Sequence, residues 1–259
     1  MKKILILLTI CGILGVQAQT DEQEFAPYVI NGVRSPVAPY FAYIRFYQGN
    51  NFGWGGGALV DPRSIVTSAS IVAPWERIRV YLGGNNRDFM REHEVFNFTA
   101  HPNFDRFSRA FDIAVVRLVN PIIPSAEIHP IALPPLYNPP NSDLPFEHEE
   151  ITVDGYGATT AQNQQAATFL YRSHQRITSQ ERCTAFFVLD TEQAFCGEDL
   201  DERSNVCFGD LGSPAIGTYR RNPYLAGIVR IHPNCGVNQP AAYTRISFFL
   251  PWIQSQILI

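Results

Sequence analysis

Short runs dominated by Val, Ile, Phe and Tyr recur along the chain at 42–46, 58–60, 65–68, 78–82, 95–99 and 113–118. Gly-Gly, Asp-Pro and His-Pro-Asn clusters separate them, which is the punctuation of strands and turns rather than of helices. A second set follows at 151–154, 169–173, 194–196, 214–218, 225–231 and 242–246. Between the two sets lie His129-Pro130-Ile131-Ala132-Leu133-Pro134-Pro135 and Pro139-Pro140-Asn141, a composition that suits an extended connector. This rhythm predicts an antiparallel barrel or sandwich. At the end of the chain, 248–259, Leu250, Ile253 and Ile257 fall at helical spacing, and Pro251 is tolerable in a first turn. A terminal helix on the second set of strands is expected.

The start of the chain has a different pattern. Met1-Lys2-Lys3 is basic, 4–16 is almost unbroken apolar sequence, and Val16-Gln17-Ala18 offers small residues for cleavage. Residues 1–18 therefore read as a secretory signal peptide, and the run is shorter than the roughly 20 residues of a membrane span. Residues 19–28 are polar and acidic and read as a short leader. The expected product is secreted and extracellular, without a membrane anchor. Of five cysteines, Cys11 falls in the signal and Cys183, Cys196, Cys207 and Cys235 remain. In an oxidising compartment four cysteines allow three pairings, which sequence alone does not choose among. A zinc site is the rival reading, but no Cys-x-x-Cys or paired-His spacing supports it. No metal or cofactor is expected. The formal charge of −4 becomes −6 without Lys2 and Lys3, and every remaining cation is arginine. A mildly acidic surface argues against nucleic acid or an anionic membrane as partner.

The candidate chemistry lies at Cys207-Phe208-Gly209-Asp210-Leu211-Gly212-Ser213-Pro214. This stretch resembles the Gly-Asp-Ser-Gly-Gly-Pro signature of trypsin-like serine peptidases, with Leu211 where that family has its nucleophilic serine. Six residues rich in glycine match by chance often enough that other segments must carry the weight. Gly55-Gly56-Gly57-Ala58-Leu59-Val60 is similar to the family's Cys-Gly-Gly-Ser-Leu strand, and Val66-Thr67-Ser68-Ala69-Ser70-Ile71 to the segment holding the general base. Phe111-Asp112-Ile113-Ala114-Val115-Val116-Arg117-Leu118 resembles the segment of the orienting aspartate. Gly155-Tyr156-Gly157, Gly227-Ile228-Val229, Pro240, Tyr243-Thr244-Arg245 and Trp252-Ile253 complete the order.

The resemblance implies an all-β fold of two packed antiparallel β-barrels, chymotrypsin-like, with a C-terminal helix. It places one peptidase homology domain at 29–259, its first barrel at about 29–135 and its second barrel with the helix at about 136–259. It implies the disulfides Cys183–Cys196 and Cys207–Cys235. Gly55 and Ile71 stand at both ends of a third bridge that is missing as a pair. Val29-Ile30-Asn31-Gly32 resembles the terminus released on zymogen activation, whose amine would meet Asp210. Tyr28 before that junction does not suit a trypsin-like activator, although a chymotrypsin-like one accepts it.

By the same resemblance the base position is Ser70, the nucleophile position is Leu211, and only Asp112 survives of the triad. A leucine cannot form an acyl-enzyme, and a serine hydroxyl does not take a proton near pH 7. Ser213 has no family-placed histidine to activate it. Gly209 keeps the oxyanion turn. In the substrate cleft, Asn205 stands where trypsin-like enzymes keep an aspartate, Ile231 and His232 replace a Trp and a Gly, and Ala241 replaces a glycine. Arg230 replaces a serine beside the aspartate. Two alternatives follow for it, an ion pair with Asp112 or a guanidinium turned to solvent. His232 reads as a pH-sensitive contact or a surface histidine beside Pro233. Asn97-Phe98-Thr99 fits the N-glycosylation pattern.

The expected function is that of a secreted serine protease homologue without catalysis. It would act as a protein-binding or regulatory module toward a protease, a zymogen or an inhibitor. The alternatives are an endopeptidase of unusual mechanism and a diverged secretory protein with a structural role.

Overall fold

The apolar runs become strands. The computed structural model describes residues 32–135, 144–160, 162, 164–199, 204–232 and 235–257. Its first half forms β1 (Val33–Arg34), β2 (Phe41–Gln48), β3 (Asn51–Asp61), β4 (Ser64–Thr67), β5 (Arg77–Leu82), β6 (Arg91–His93), β7 (Val95–Ala100) and β8 (Ala114–Leu118). The second half forms β9 (Glu150–Gly155), β10 (Tyr171–Ile177), α1 (Gln180–Phe186), β11 (Ala194–Glu198), β12 (Pro214–Tyr219), β13 (Asn222–Ile231), β14 (Ala241–Arg245) and α2 (Ile246–Ile257).

All pairings are antiparallel. One sheet runs β6-β5-β2-β3-β4-β8-β7 and stays open as a half-barrel. The other runs β1-β10-β11-β14-β13-β12-β9, and β9 also pairs with β10, which closes a six-stranded barrel. The expected two-barrel architecture with a terminal helix is what forms. β1 pairs with β10, so the strand nearest the start of the described chain is tied to the second barrel.

A core common to both sheets joins them. Phe41, Tyr43 and Val66 from the first sheet meet Tyr156, Leu225 and Ile228 from the second, with Ile246, Phe249 and Ile253 of α2. Tyr156 meets Phe41 and Tyr43 edge-on, with ring centroids 5.4 and 5.6 Å away, a geometry worth about 1 kcal/mol per pair beyond area burial.

Four details differ from the sequence expectation. β3 begins at Asn51 rather than near 58, because a Gly49-Asn50 turn folds it onto β2 from Gln48↔Asn51 onward. β1 and β6 are too short to show a period. α1 is a seven-residue helix whose N-cap, Ser179, accepts a hydrogen bond from the Arg182 amide. Finally, α2 starts at Ile246, directly after β14, so Pro251 lies inside the helix rather than in its first turn. The signal, the leader, Tyr28 and Val29 fall outside the described residues, as do Pro139, Pro140 and Asn141 of the connector.

Candidate functional site

The Ser68–Ile71 segment and Asp112 meet where β4 ends and β8 begins. Ser68 caps a short 3₁₀ turn over Ala69–Ile71. Asp112 is fully buried and accepts three hydrogen bonds from this segment: Ser68 Oγ at 2.7 Å, the Ser70 amide at 2.8 Å and Ser70 Oγ at 2.7 Å. Burial pushes its carboxyl above the usual carboxylate range, and the three donors and the nearby Arg109 charge work against that rise. Ser70, assigned to the base position, thus donates to the carboxylate.

Both sequence alternatives for Arg230 are corrected here. Its side chain is buried, so it does not face solvent. It also forms no ion pair with Asp112 within 4.0 Å, and the Asp112 carboxylate is held by the serines instead. One terminal nitrogen instead lies 3.5 Å from the Ser108 carbonyl, and burial lowers the guanidinium's proton affinity while the Asp112 charge raises it.

The second component is the turn from Cys207 to Ser213. Gly209 adopts φ +90° and Gly212 φ +79°, conformations that L side chains rarely take. Gly209 has a further reason to be glycine, since a Cβ there would run into the Trp54 indole nitrogen. Asp210 is fully buried and accepts from the Gly157 amide at 2.8 Å and the Cys207 amide at 2.9 Å. No ion pair reaches it among the described residues, and burial pushes its carboxyl up to about 7. The amides of Gly209 and Leu211 find no acceptor among the described residues, so the donors of the turn remain open.

Leu211 is half-buried and packs against both barrel cores. Its carbonyl accepts from the Gly56 amide at 2.9 Å. A Cβ on Gly55 would come within 2.6 Å of that carbonyl and 2.7 Å of Ile71 Cδ1. Ile71 therefore fills the space that a larger residue at 55 would need. Ser213 is fully buried and its hydroxyl has no partner among the described residues.

The cleft residues are braced internally. Asn205, fully buried, donates to the carbonyls of Gly236 at 2.8 Å and Gln239 at 2.7 Å, and its own oxygen accepts from Val206 N at 2.9 Å. Ala241 is equally buried. Ile231 packs against the cluster of Cys183, Cys196 and Ala242. His232 meets Phe208 edge-on at 4.8 Å and is half-buried rather than a free surface histidine. Burial and the Arg109 charge lower its affinity for a proton. The disulfides Cys183–Cys196 and Cys207–Cys235 both form, and loops of this size contribute roughly 3 kcal/mol each in the chain-entropy model.

Sequence reasoning missed Arg109 and Phe208. β13 pairs with β14 through a bulge between Val229 and Ile231, which leaves the Arg230 peptide outside the ladder. Arg109 donates to that peptide's carbonyl at 2.9 Å. It is positioned by a left-handed backbone at φ +56°, followed by Phe111 at φ +53°. An arginine in that conformation carries no sequence signal. Phe208 was readable only as a neighbour of the signature.

Known proteins resemble this chain over most of its length. It is 29% identical over 208 residues to the anionic trypsin of Canis lupus familiaris, covering 78% of this chain and 79% of the relative. It is 25% identical over 263 residues to serine protease 1 of Rattus norvegicus, covering 99% of each. Its fold matches a solved HL collagenase structure with a TM-score of 0.76 at 24% identity, covering 89% of this chain and 99% of that one. The sequence pattern of the family described as Trypsin spans residues 30–253, and the chain belongs to that family as a trypsin-like serine protease domain.

Proposed function

We propose that this protein is a secreted, non-catalytic member of the trypsin family that acts as a protein-binding or regulatory module. The observation that carries the reading is the partnering of Asp112. Its carboxylate is satisfied by Ser68 and Ser70, where an acyl-transfer enzyme needs an imidazole. Leu211 adds a nucleophile position with no lone pair to donate. Ser213, the nearest hydroxyl in the chain, is sealed inside the fold. The Arg109 bond to the Arg230 carbonyl and the Phe208–His232 contact also restrict peptide access to the cleft.

Secretion rests on the apolar start of the chain and on two disulfides. Asn97 and Thr99 share the exposed face of β7, with Phe98 turned inward, so the Asn97 acceptor is accessible for N-glycosylation. The partners that suit a protease-shaped surface are a protease, its zymogen or its inhibitor.

The test is to incubate the secreted protein with a fluorophosphonate probe and mixed peptide substrates. The expected result is no labelling and no turnover, and covalent labelling at any serine would overturn the reading. Affinity capture from the native fluid should enrich a protease, zymogen or inhibitor. Recovery of none of them would favour the structural-protein alternative.

A further inference from the structure

The short Ser70 side chain borders an open space. A cavity of about 390 Å³ is lined by Ser70, Ala73, Pro74, Phe104, Arg106 and Arg109. Its only charged lining groups are the two arginines. Neither forms an ion pair within 4.0 Å among the described residues. Two carboxylates are close in sequence, and both are engaged. Asp112 accepts three hydrogen bonds from the serine segment and feels the Arg109 charge without contact, and Asp105 accepts the Phe107 amide at 2.8 Å. Arg109 uses one of the five donors of its planar fork on the Arg230 carbonyl, which fixes the guanidinium at the cavity wall and leaves the remaining donors. Arg106 is exposed and, among the described residues, otherwise meets only the Phe107 ring at 6.0 Å.

Two unpaired guanidinium groups around a space with apolar walls, in a chain of net charge −4, form a local reversal of sign. Arginine forks match carboxylates in bidentate geometry. Ala73, Pro74 and Phe104 supply apolar contact for the carbon atoms that carry such a group. We propose that this cavity is a carboxylate-binding site, which takes an acidic side chain or the C-terminal carboxylate of a peptide from the protein partner. The inference rests on the non-catalytic reading above, since the cavity borders the position from which the base is absent.

The experiment follows the arginine Nε–H signals of ¹⁵N-labelled protein during titration with four probes. These are acetyl-Glu-Glu-amide, succinate, sodium sulfate and the neutral acetyl-Gln-Gln-amide. Saturable shifts at Arg106 and Arg109 are expected with the first two, weakened by added salt. Arg106→Gln and Arg109→Gln should each weaken binding roughly tenfold, as loss of a charge-assisted hydrogen bond predicts. Arg106→Gln alters an exposed side chain and serves as the variant whose folding is not at issue. Equal response to the neutral peptide, saturation by sulfate alone, or unchanged affinity in Arg106→Gln would overturn the assignment. A parallel fluorophosphonate reaction separates the two claims. Labelled protein sinks the non-catalytic reading, whereas unlabelled protein without carboxylate binding sinks only the cavity assignment. A free peptide C-terminus that outcompetes acetyl-Glu-Glu-amide would identify the terminal carboxylate as the source.

Discussion

Asp112 and Asp210 are both fully buried carboxylates, yet they are held in opposite ways. Asp112 is held by Ser68 and Ser70, which supply two hydroxyls and an amide, with Arg109 adding charge nearby. Asp210 has two backbone amides and no cation among the described residues. The first region is held by side chains, and its carboxylate is hydrogen-bonded by two serines. The second keeps its shape in the main chain, and no ion pair reaches its carboxyl among the described residues.

The largest consequence is expected at Asp210. Its carboxyl, pushed up to about 7 from an ordinary 3.8, binds a proton in the folded state that the unfolded chain has released. Stability from this group is therefore full below about pH 4 and is lost as pH rises towards 7. The span is on the order of 4 kcal/mol, because each pKa unit corresponds to about 1.4 kcal/mol. Urea midpoints from pH 4 to 8 should show the fall, and Asp210→Asn should make it shallower. Parallel curves for the two proteins would break the comparison. A chain cut after Tyr28, if its Val29 ammonium paired with Asp210, would reverse the slope.

At Asp112 the effects are those of lost hydrogen bonds. Asp112→Ala leaves the Ser68 and Ser70 donors without an acceptor and should cost about 3 kcal/mol by chemical denaturation. A loss below about 1 kcal/mol would mean that these serines are readily re-hydrated. Between the two regions, Gly55→Ala forces a methyl against the Leu211 carbonyl and Ile71, and should cost about 2 kcal/mol. Combining it with Ile71→Val should recover part of that loss. Strict additivity would deny that the two positions share one space. Ser70→Ala is the smallest change, about 1 kcal/mol for one hydrogen bond, and it should leave the Asp210 pH curve unmoved.

The barrels were legible because strands built from Val, Ile, Phe and Tyr repeat between turn residues, and a strand needs no more than that to declare itself. The glycine-rich start of β3 was not, since Gly53, Gly55, Gly56 and Gly57 have poor strand propensity and serve close approach instead. Pairing of the cysteines was readable only through family likeness. The Arg230 expectation failed because proximity in an alignment gives opposite charges but not the path of a long side chain. Sequence also gives no sign that the Asp112 oxygens are already taken. Arg109 was illegible for another reason, that its position depends on a left-handed backbone that arginine does not favour.

The bulge at Arg230 matters beyond the cleft. A strand end with a free carbonyl is a template on which a second extended chain can align, and exposed edges of this kind drive self-association in β-rich proteins. Here the acceptor is covered in cis by an arginine 121 residues away in sequence. The Arg109 bond therefore also acts as an edge guard.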